Sequence, residues 1–221
     1  MDLPLSLFAA AWHWLALALT LPVFVWLVRS TPWRRLMLPS QSHLMLGFAV
    51  ALALLWSLKA GVKPGLNLHL LGAMAAALAL GPQLAVITLA LALTGITLNG
   101  ALEWQSWPLN FLLMAVVPVL AASALQRLVE RRLPTNFFVF IFVVAFFGAG
   151  LTVMLEGLVA SVAMMAAGAY SAEFLASEYL PYFLLLGFSE AWLSGAIITL
   201  FVVYRPEWVA AFDDRRYLAN K

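Results

Sequence analysis

Apolar segments, most of them close to the length of one bilayer crossing, follow one another along this sequence and are separated by glycine, proline and clustered charge. About 20 consecutive apolar residues span a bilayer as an α-helix. Hydrophobic residues make up 65% of the chain and charged residues 10%, so a water-soluble fold would leave too much apolar surface exposed. The sequence therefore predicts an all-α fold, a polytopic membrane helical bundle embedded in the lipid bilayer.

We predict about seven transmembrane helices in a single transmembrane domain, residues 1–221. The segment Leu66–Leu80 is short for a full crossing and is followed by the turn signal Gly81-Pro82. The segment Phe137–Ala167 is too long for one crossing, so its helix is predicted to end near Leu155, before a re-entrant or surface segment. The predicted spans are Leu7–Val28, His43–Leu58, Leu66–Leu80, Leu84–Leu98, Trp107–Leu125, Phe137–Ala167 and Tyr179–Tyr204.

The basic residues predict the orientation of these spans. Lys59 and Lys63 follow the second span, whereas the rest of the chain's 12 Lys and Arg residues fall in loops on the opposite side. Because basic residues concentrate in cytoplasmic loops, we expect the N-terminus outside and the C-terminus inside. A compact chain without cysteine and rich in Ala, Leu and Trp is typical of a multi-pass protein of the bacterial inner membrane.

Five polar residues lie where lipid would not tolerate them, each on a different predicted span and each in the outer half of the bilayer: His13, His69, Asn110, Glu156 and Glu190. Ionisable groups in this environment are costly and are often functional. Their shared depth predicts a polar cavity that opens to the outside. The alternative is that Glu156 and Glu190 bond to neighbouring hydroxyl or imidazole groups and only hold helices together.

Among these residues His69 is the strongest candidate for a metal ligand, because imidazole is the commonest metal-binding side chain and this one lies at a predicted membrane–water boundary.

The sequence contains no phosphate-binding glycine loop, nucleophile elbow or zinc-protease motif. It also lacks a convincing nucleophile–base pair, so we do not expect an enzyme. The charges serve membrane topology, and no nucleic-acid partner is predicted.

Five short stretches of the sequence together resemble one family. Residues 67–73 read NLHLLGA, residues 80–82 read LGP, residues 107–110 read WPLN, and residues 189–191 read SEA before a closing RPE at residues 205–207. In this order they resemble the CbiM/NikM-type permeases, the substrate-specific membrane subunits of cobalt and nickel energy-coupling-factor ABC transporters. The resemblance extends from about Leu66 to Trp208.

The resemblance implies a metal site built at the N-terminus. In the family the free amino group, the next amide and a second-position His bind the metal together with the His of the HLLG stretch. Here the matching residues are Met1, Asp2 and His69, and Asp2 replaces a nitrogen ligand with a harder carboxylate. This divergent branch therefore binds a different metal, binds it more weakly, or binds another solute. The residues expected behind the ligands or around the cavity are Asn67, Asn110, Glu156, Glu190 and His13.

These observations predict the substrate-binding membrane subunit of an energy-coupling-factor type transporter that imports a divalent transition metal, with Co or Ni possible. The metal is the transported substrate, and no permanently bound cofactor is expected. Since the chain has no nucleotide-binding motif, ATPase and transmembrane coupling subunits of an ABC-type transporter are the expected partners. The alternative is a non-transporting membrane scaffold or assembly factor that has lost the metal site.

Overall fold

The computed structural model of the protein describes residues 2–61 and 63–217, and every regular element in those ranges is a helix. Apart from the short 3₁₀ helices Leu5–Leu7, Trp33–Met37 and Pro206–Trp208, these elements are α1 Ala10–Ser30, α2 Pro39–Ser57, α3 Ala73–Leu80, α4 Pro82–Leu98, α5 Trp104–Arg132, α6 Val139–Ala166, α7 Ala172–Glu178, α8 Tyr182–Tyr204 and α9 Asp214–Tyr217.

Five of these helices, α1, α2, α5, α6 and α8, are long and apolar enough to cross a membrane. The helix α4 is apolar but has 17 residues, and α3 has 8. The predicted all-α, multi-pass membrane fold is confirmed at this level. The number of seven crossings and the N-out orientation stay predictions.

The predicted span Leu66–Leu80 is wrong in its extent, because only α3 at its end is helical. Gly65 and Gly72 both have positive φ angles, of 76° and 70°, which interrupt a right-handed helix. The peptide N–H groups of Leu71 and Gly72 bind a glutamate side chain of α8 instead of helix carbonyls. The helix therefore begins only after Gly72.

The predicted end of a helix near Leu155 is also wrong, because α6 continues without a break to Ala166. Glu156 is completely buried in the bundle rather than directed to a membrane surface. The next residue, Gly157, allows the ring of Phe183 to pack directly against the helix, since a Cβ at this position would lie 2.2 Å from that ring. Tertiary packing therefore stabilises the helix through the point where its sequence suggests a break.

The short helix α3 lies at the centre of the bundle, and each of its eight residues is at least 98% buried. Its carbonyl groups at the C-terminal end need partners, because the chain turns at Gly81 and α4 begins with Pro82. The N–H groups of Ala210 and Ala211 bind two of these carbonyls at 3.0 Å each. The guanidinium of Arg35 binds a third, at 3.2 Å, and the positive charge suits a helix C-terminus.

The chain begins at one end of the bundle and leaves it at the other, and we call these the N-terminal end and the C-terminal end. At the N-terminal end the segment before α1 reaches the α4–α5 loop, where the N–H of Leu5 donates to Glu103. At the C-terminal end the amide of Gln41 donates to the carbonyl of Glu207. The candidate site described next lies at the N-terminal end.

Candidate metal site at the N-terminal end

The segment that precedes α1 is inserted into the bundle. Leu3 is fully buried, its N–H donates to Oδ1 of Asn110 (2.7 Å), and its carbonyl accepts from Nδ2 of the same side chain (2.9 Å). Asn110, on α5, also donates to the carbonyl of Ser106 at 3.0 Å. One amide side chain therefore satisfies both backbone polar groups of Leu3, which allows an extended backbone to lie in an apolar interior.

Asp2 lies in the same segment and is 3% exposed. Its carboxylate accepts a hydrogen bond from the ammonium of Lys59 (2.5 Å) and another from the amide of Asn67 (2.8 Å). Burial by itself raises the pKa of the Asp2 carboxyl, but the hydrogen bonds from Lys59 and Asn67 hold that pKa below its ordinary value. Asp2 is therefore a buried carboxylate that is already partly neutralised by a lysine.

His69 lies on the same face of the chain as Asn67. Leu68 pairs with Ala60 in an antiparallel bridge, so the chain is extended here and residues 67 and 69 point to one side. Asn67 binds Asp2 directly, and the charge of the Asp2 carboxylate acts on the His69 imidazole. The structure thus places Asp2 in contact with Asn67, and His69 lies two residues further along the same extended segment.

The imidazole of His69 is held in one tautomer. Nδ1 lies 3.2 Å from the carbonyl of Leu70, which can only accept a hydrogen bond, so Nδ1 carries the proton and the lone pair remains on Nε2. Nε2 is buried and has no hydrogen-bond partner within residues 2–61 and 63–217. His69 lies outside the helices, its burial lowers the pKa of the imidazole well below its ordinary value, and the ring is therefore neutral. A neutral imidazole with a free buried lone pair is the form that binds metal.

Trp56 and Glu190 position the His69 segment from two sides. The indole of Trp56, at the end of α2, lies with its ring centre 5.5 Å from that of His69 and donates to the carbonyl of Leu71 (3.3 Å). The carboxylate of Glu190, on α8, accepts from the N–H of Leu71 (2.8 Å) and of Gly72 (2.6 Å). An anion at this place also compensates the positive end of α3. Glu190 therefore acts as a positioning residue for the His69 segment.

Glu156 and Tyr179 form a second buried polar pair at this end. Both carboxylate oxygens of Glu156 and the hydroxyl of Tyr179 are buried and have no hydrogen-bond partner in the described part of the chain. Burial, and then the nearby charges of Glu156 and Asp2, raise the pKa of the Tyr179 hydroxyl. That hydroxyl is therefore buried within range of both carboxylate charges.

His13 is not part of this group. It lines a cavity of about 410 Å³ on another side of the bundle, together with Trp14, Leu17 and Trp104. Its ring nitrogens have no hydrogen-bond partner in the residues that the structure describes, and its neighbour Phe8 packs edge-on at 6.5 Å. The prediction that His13 lies around the same polar cavity as the other site residues stays a prediction. No contact within the described residues joins His13 to them.

Sequence reasoning missed Lys59, Trp56 and Tyr179 as parts of this site. Lys59 could have been found, since it is one of two basic residues on the side that the positive-inside rule disfavours.

The ligand predicted at Met1 lies outside the described residues. Among those that the structure describes, no three His, Cys, Asp or Glu side chains form a group that could hold a metal ion.

Together these features define a multi-pass α-helical membrane protein with a buried polar site at one end. Residues 2–208 match the sequence pattern of the CbiM family, described as the cobalt uptake substrate-specific transmembrane region, and the chain belongs to this family. The resemblance found in residues 66–208 is thereby confirmed, and the protein is a membrane component of a cobalt uptake family, a transport family rather than an enzyme family. No curated protein and no solved structure matches the chain.

Proposed function

We propose that this protein is the substrate-binding membrane subunit of an energy-coupling-factor type transporter that imports a divalent transition-metal ion. The observation that carries the proposal is the buried, unpartnered Nε2 of His69 beside the inserted N-terminal segment. The cobalt uptake family supplies the substrate class, with Co²⁺ or Ni²⁺ as the ion. His69 would bind the ion, joined by the Asp2 carboxylate and the amino group of Met1.

The surrounding residues would hold these ligands in place. Asn110 seats the N-terminal segment, and Asn67 orients the Asp2 carboxylate. Glu190 orients the His69 segment, and the buried carboxyl of Glu156 would add negative potential once an ion displaces its proton. Since metal ligands depend on such supporting hydrogen bonds, these residues are expected to tune affinity.

Transport would also require partners that the chain does not supply. ATPase and transmembrane coupling subunits would bind the C-terminal end, where the Arg34-Arg35 and Arg131-Arg132 pairs lie. This arrangement has the N-terminal end facing outward from a bacterial inner membrane, in agreement with the positive-inside rule.

The Asp2–Lys59 ion pair favours a second candidate function, a membrane scaffold or assembly factor that has lost the metal site. In this case Lys59 takes the place of the cation permanently. Such a protein would bind no transition metal and would co-purify with a membrane complex other than an ABC transporter.

Metal binding by the purified full-length chain separates the two functions. Equilibrium dialysis against Co²⁺, Ni²⁺, Zn²⁺ and Mn²⁺, followed by elemental analysis, is expected to show about one bound ion per chain for at least one metal. His69→Ala should abolish this binding, whereas His13→Ala, which changes a histidine in a separate cavity, should not. Wild-type protein that retains none of the four ions, or a His69→Ala variant that binds as well as wild type, would refute the transport site.

A further inference from the structure

The candidate site is closed, so an ion must cross protein to reach it. Asp2 and His69 are each 3% exposed, and Glu156 is fully buried. Of the pockets at the N-terminal end of the described chain, one shares a wall with this site. We call it the outer pocket; it has a volume of about 360 Å³ and lies between the α2–α3 loop and α7. It is lined by Ala60, Lys63, Leu68, Phe174, Glu178 and Tyr179, among others.

One part of the shared wall is the extended segment around Leu68. Leu68 lines the outer pocket, and in an extended chain its neighbours Asn67 and His69 point the opposite way, toward Asp2. Hydrogen bonds of 3.0 Å and 2.7 Å between Leu68 and Ala60 hold this segment in place. The thickness of one strand therefore separates the outer pocket from the metal-binding face.

The other part of the wall is Tyr179. Tyr179 lines the outer pocket, whereas its hydroxyl is buried and has no hydrogen-bond partner in the described residues. The backbone of Tyr179 is fixed where α7 ends, because its N–H donates to the carbonyl of Leu175 at 3.2 Å, so only its side chain is able to move. Its ring packs edge-on against the ring of Phe183, with ring centres 5.0 Å apart, and Phe183 packs on Gly157. Rotation of one side chain would thus connect the pocket to the interior.

From this arrangement we propose that the outer pocket is the entrance for a divalent cation and that Tyr179 is its gate. This inference rests on the proposed function and adds the route by which the ion reaches His69. Behind the gate, the two unpartnered oxygens of Glu156 would accept an entering cation. The hard carboxylate would replace part of the hydration shell before the ion binds the imidazole.

The cavity that contains His13 offers a matched control. It has a similar volume, about 410 Å³, and opens at the same end of the bundle. No described hydrogen bond or ring contact joins its lining to Asp2, His69 or Glu156. Ala10 lines this cavity and Ala60 lines the outer pocket, and both alanines are exposed.

The test uses single cysteines, because the natural chain has none. Full-length Ala60→Cys and Ala10→Cys proteins are purified, and each is measured before and after complete reaction with a bulky maleimide. The measured quantities are the association and dissociation rates and the Kd for radioactive Co²⁺. Blocking residue 60 should slow both rates about tenfold and leave the Kd within about twofold, as expected for a closed access route. Blocking residue 10 should change neither rate.

The gate is tested separately at Tyr179. Tyr179→Ala removes the ring and should speed association and dissociation together, about fivefold, with little change in Kd. Tyr179→Phe keeps the ring and should retain the wild-type rates, which distinguishes a gate from a hydroxyl ligand.

The outcomes separate this inference from the proposed function. If the unmodified proteins bind no Co²⁺, the proposed function fails and the route fails with it. If they bind Co²⁺ but blocking residue 60 leaves both rates unchanged, or blocking residue 10 slows them equally, the entrance lies elsewhere. A lower affinity without slower association would make the outer pocket part of the binding site and would also overturn the route.

Discussion

Replacement of Asn110 by alanine tests whether the inserted N-terminal segment depends on one side chain. In the wild-type protein Asn110 is fully buried and forms both hydrogen bonds to the backbone of Leu3. Asn110→Ala would leave the N–H and the carbonyl of Leu3 without partners in an apolar environment. We expect the segment to leave the bundle for much of the time, and to take Asp2 with it.

The size of the effect follows from those two groups. An unpaired buried backbone group costs about 1–3 kcal/mol, so the two together destabilise the inserted state by about 2–6 kcal/mol. The lower bound, about 2 kcal/mol, lowers the apparent Co²⁺ affinity by up to about 30-fold, and the full factor is reached when the metal-free segment is mostly released. Asn110→Asp retains an acceptor for the Leu3 N–H but loses the donor to the Leu3 carbonyl. Its effect should fall between those of wild type and Asn110→Ala.

Two measurements on the purified chain check this prediction. Hydrogen–deuterium exchange should show the N-terminal peptide protected in wild type and rapidly exchanging in Asn110→Ala, with the exchange of α3 unchanged. Equilibrium binding should show the corresponding loss of Co²⁺ affinity. An N-terminal peptide that stays protected, with unchanged affinity, would refute the view that Asn110 seats the ligand-bearing segment.

Two further variants test the supports of Asp2 and of the His69 segment. Lys59→Met removes the cation that competes for the Asp2 carboxylate, and it should raise Co²⁺ affinity about fivefold, equivalent to ~1 kcal/mol for a partly exposed ion pair. Lower or absent metal binding in equilibrium dialysis would instead favour the scaffold. Glu190→Gln keeps an acceptor for one of the N–H groups of Leu71 and Gly72 but places its amide N–H₂ against the other, and it should destabilise the fold by about 2 kcal/mol, measured by reversible unfolding in mixed micelles. Unchanged stability would show that this buried carboxylate does not support the segment.

Some parts of the site could be predicted from sequence because their signals are local. His69 lies in a motif of consecutive residues, and Asn110 and Glu190 are polar residues inside apolar helices, where few side chains of this kind occur. Their type and depth were enough to propose that they act together. In the structure Asn110 and Glu190 bind backbone at the N-terminal end, whereas the ligand role of His69 stays a prediction.

The functions of individual polar groups could not be predicted, because each depends on a partner that is distant in the chain. Glu190 looks like a cavity residue in sequence, but its carboxylate binds the backbone 118 and 119 residues away. Asp2 looks like a free replacement for a ligand, but Lys59 binds it from a separation of 57 residues. No periodicity or motif in one sequence specifies such pairs.

The sequence by itself determined that the chain is a multi-pass helical membrane protein and that His69 is its best metal-ligand candidate. These follow from hydrophobicity and from residue chemistry, which act locally. Only the tertiary structure decided where helices begin and end around Gly72 and Glu156, and which polar groups meet. The physical reason is that a buried polar group or a break in a helix is stable only when another segment supplies the missing partner, and folding alone brings that segment into contact.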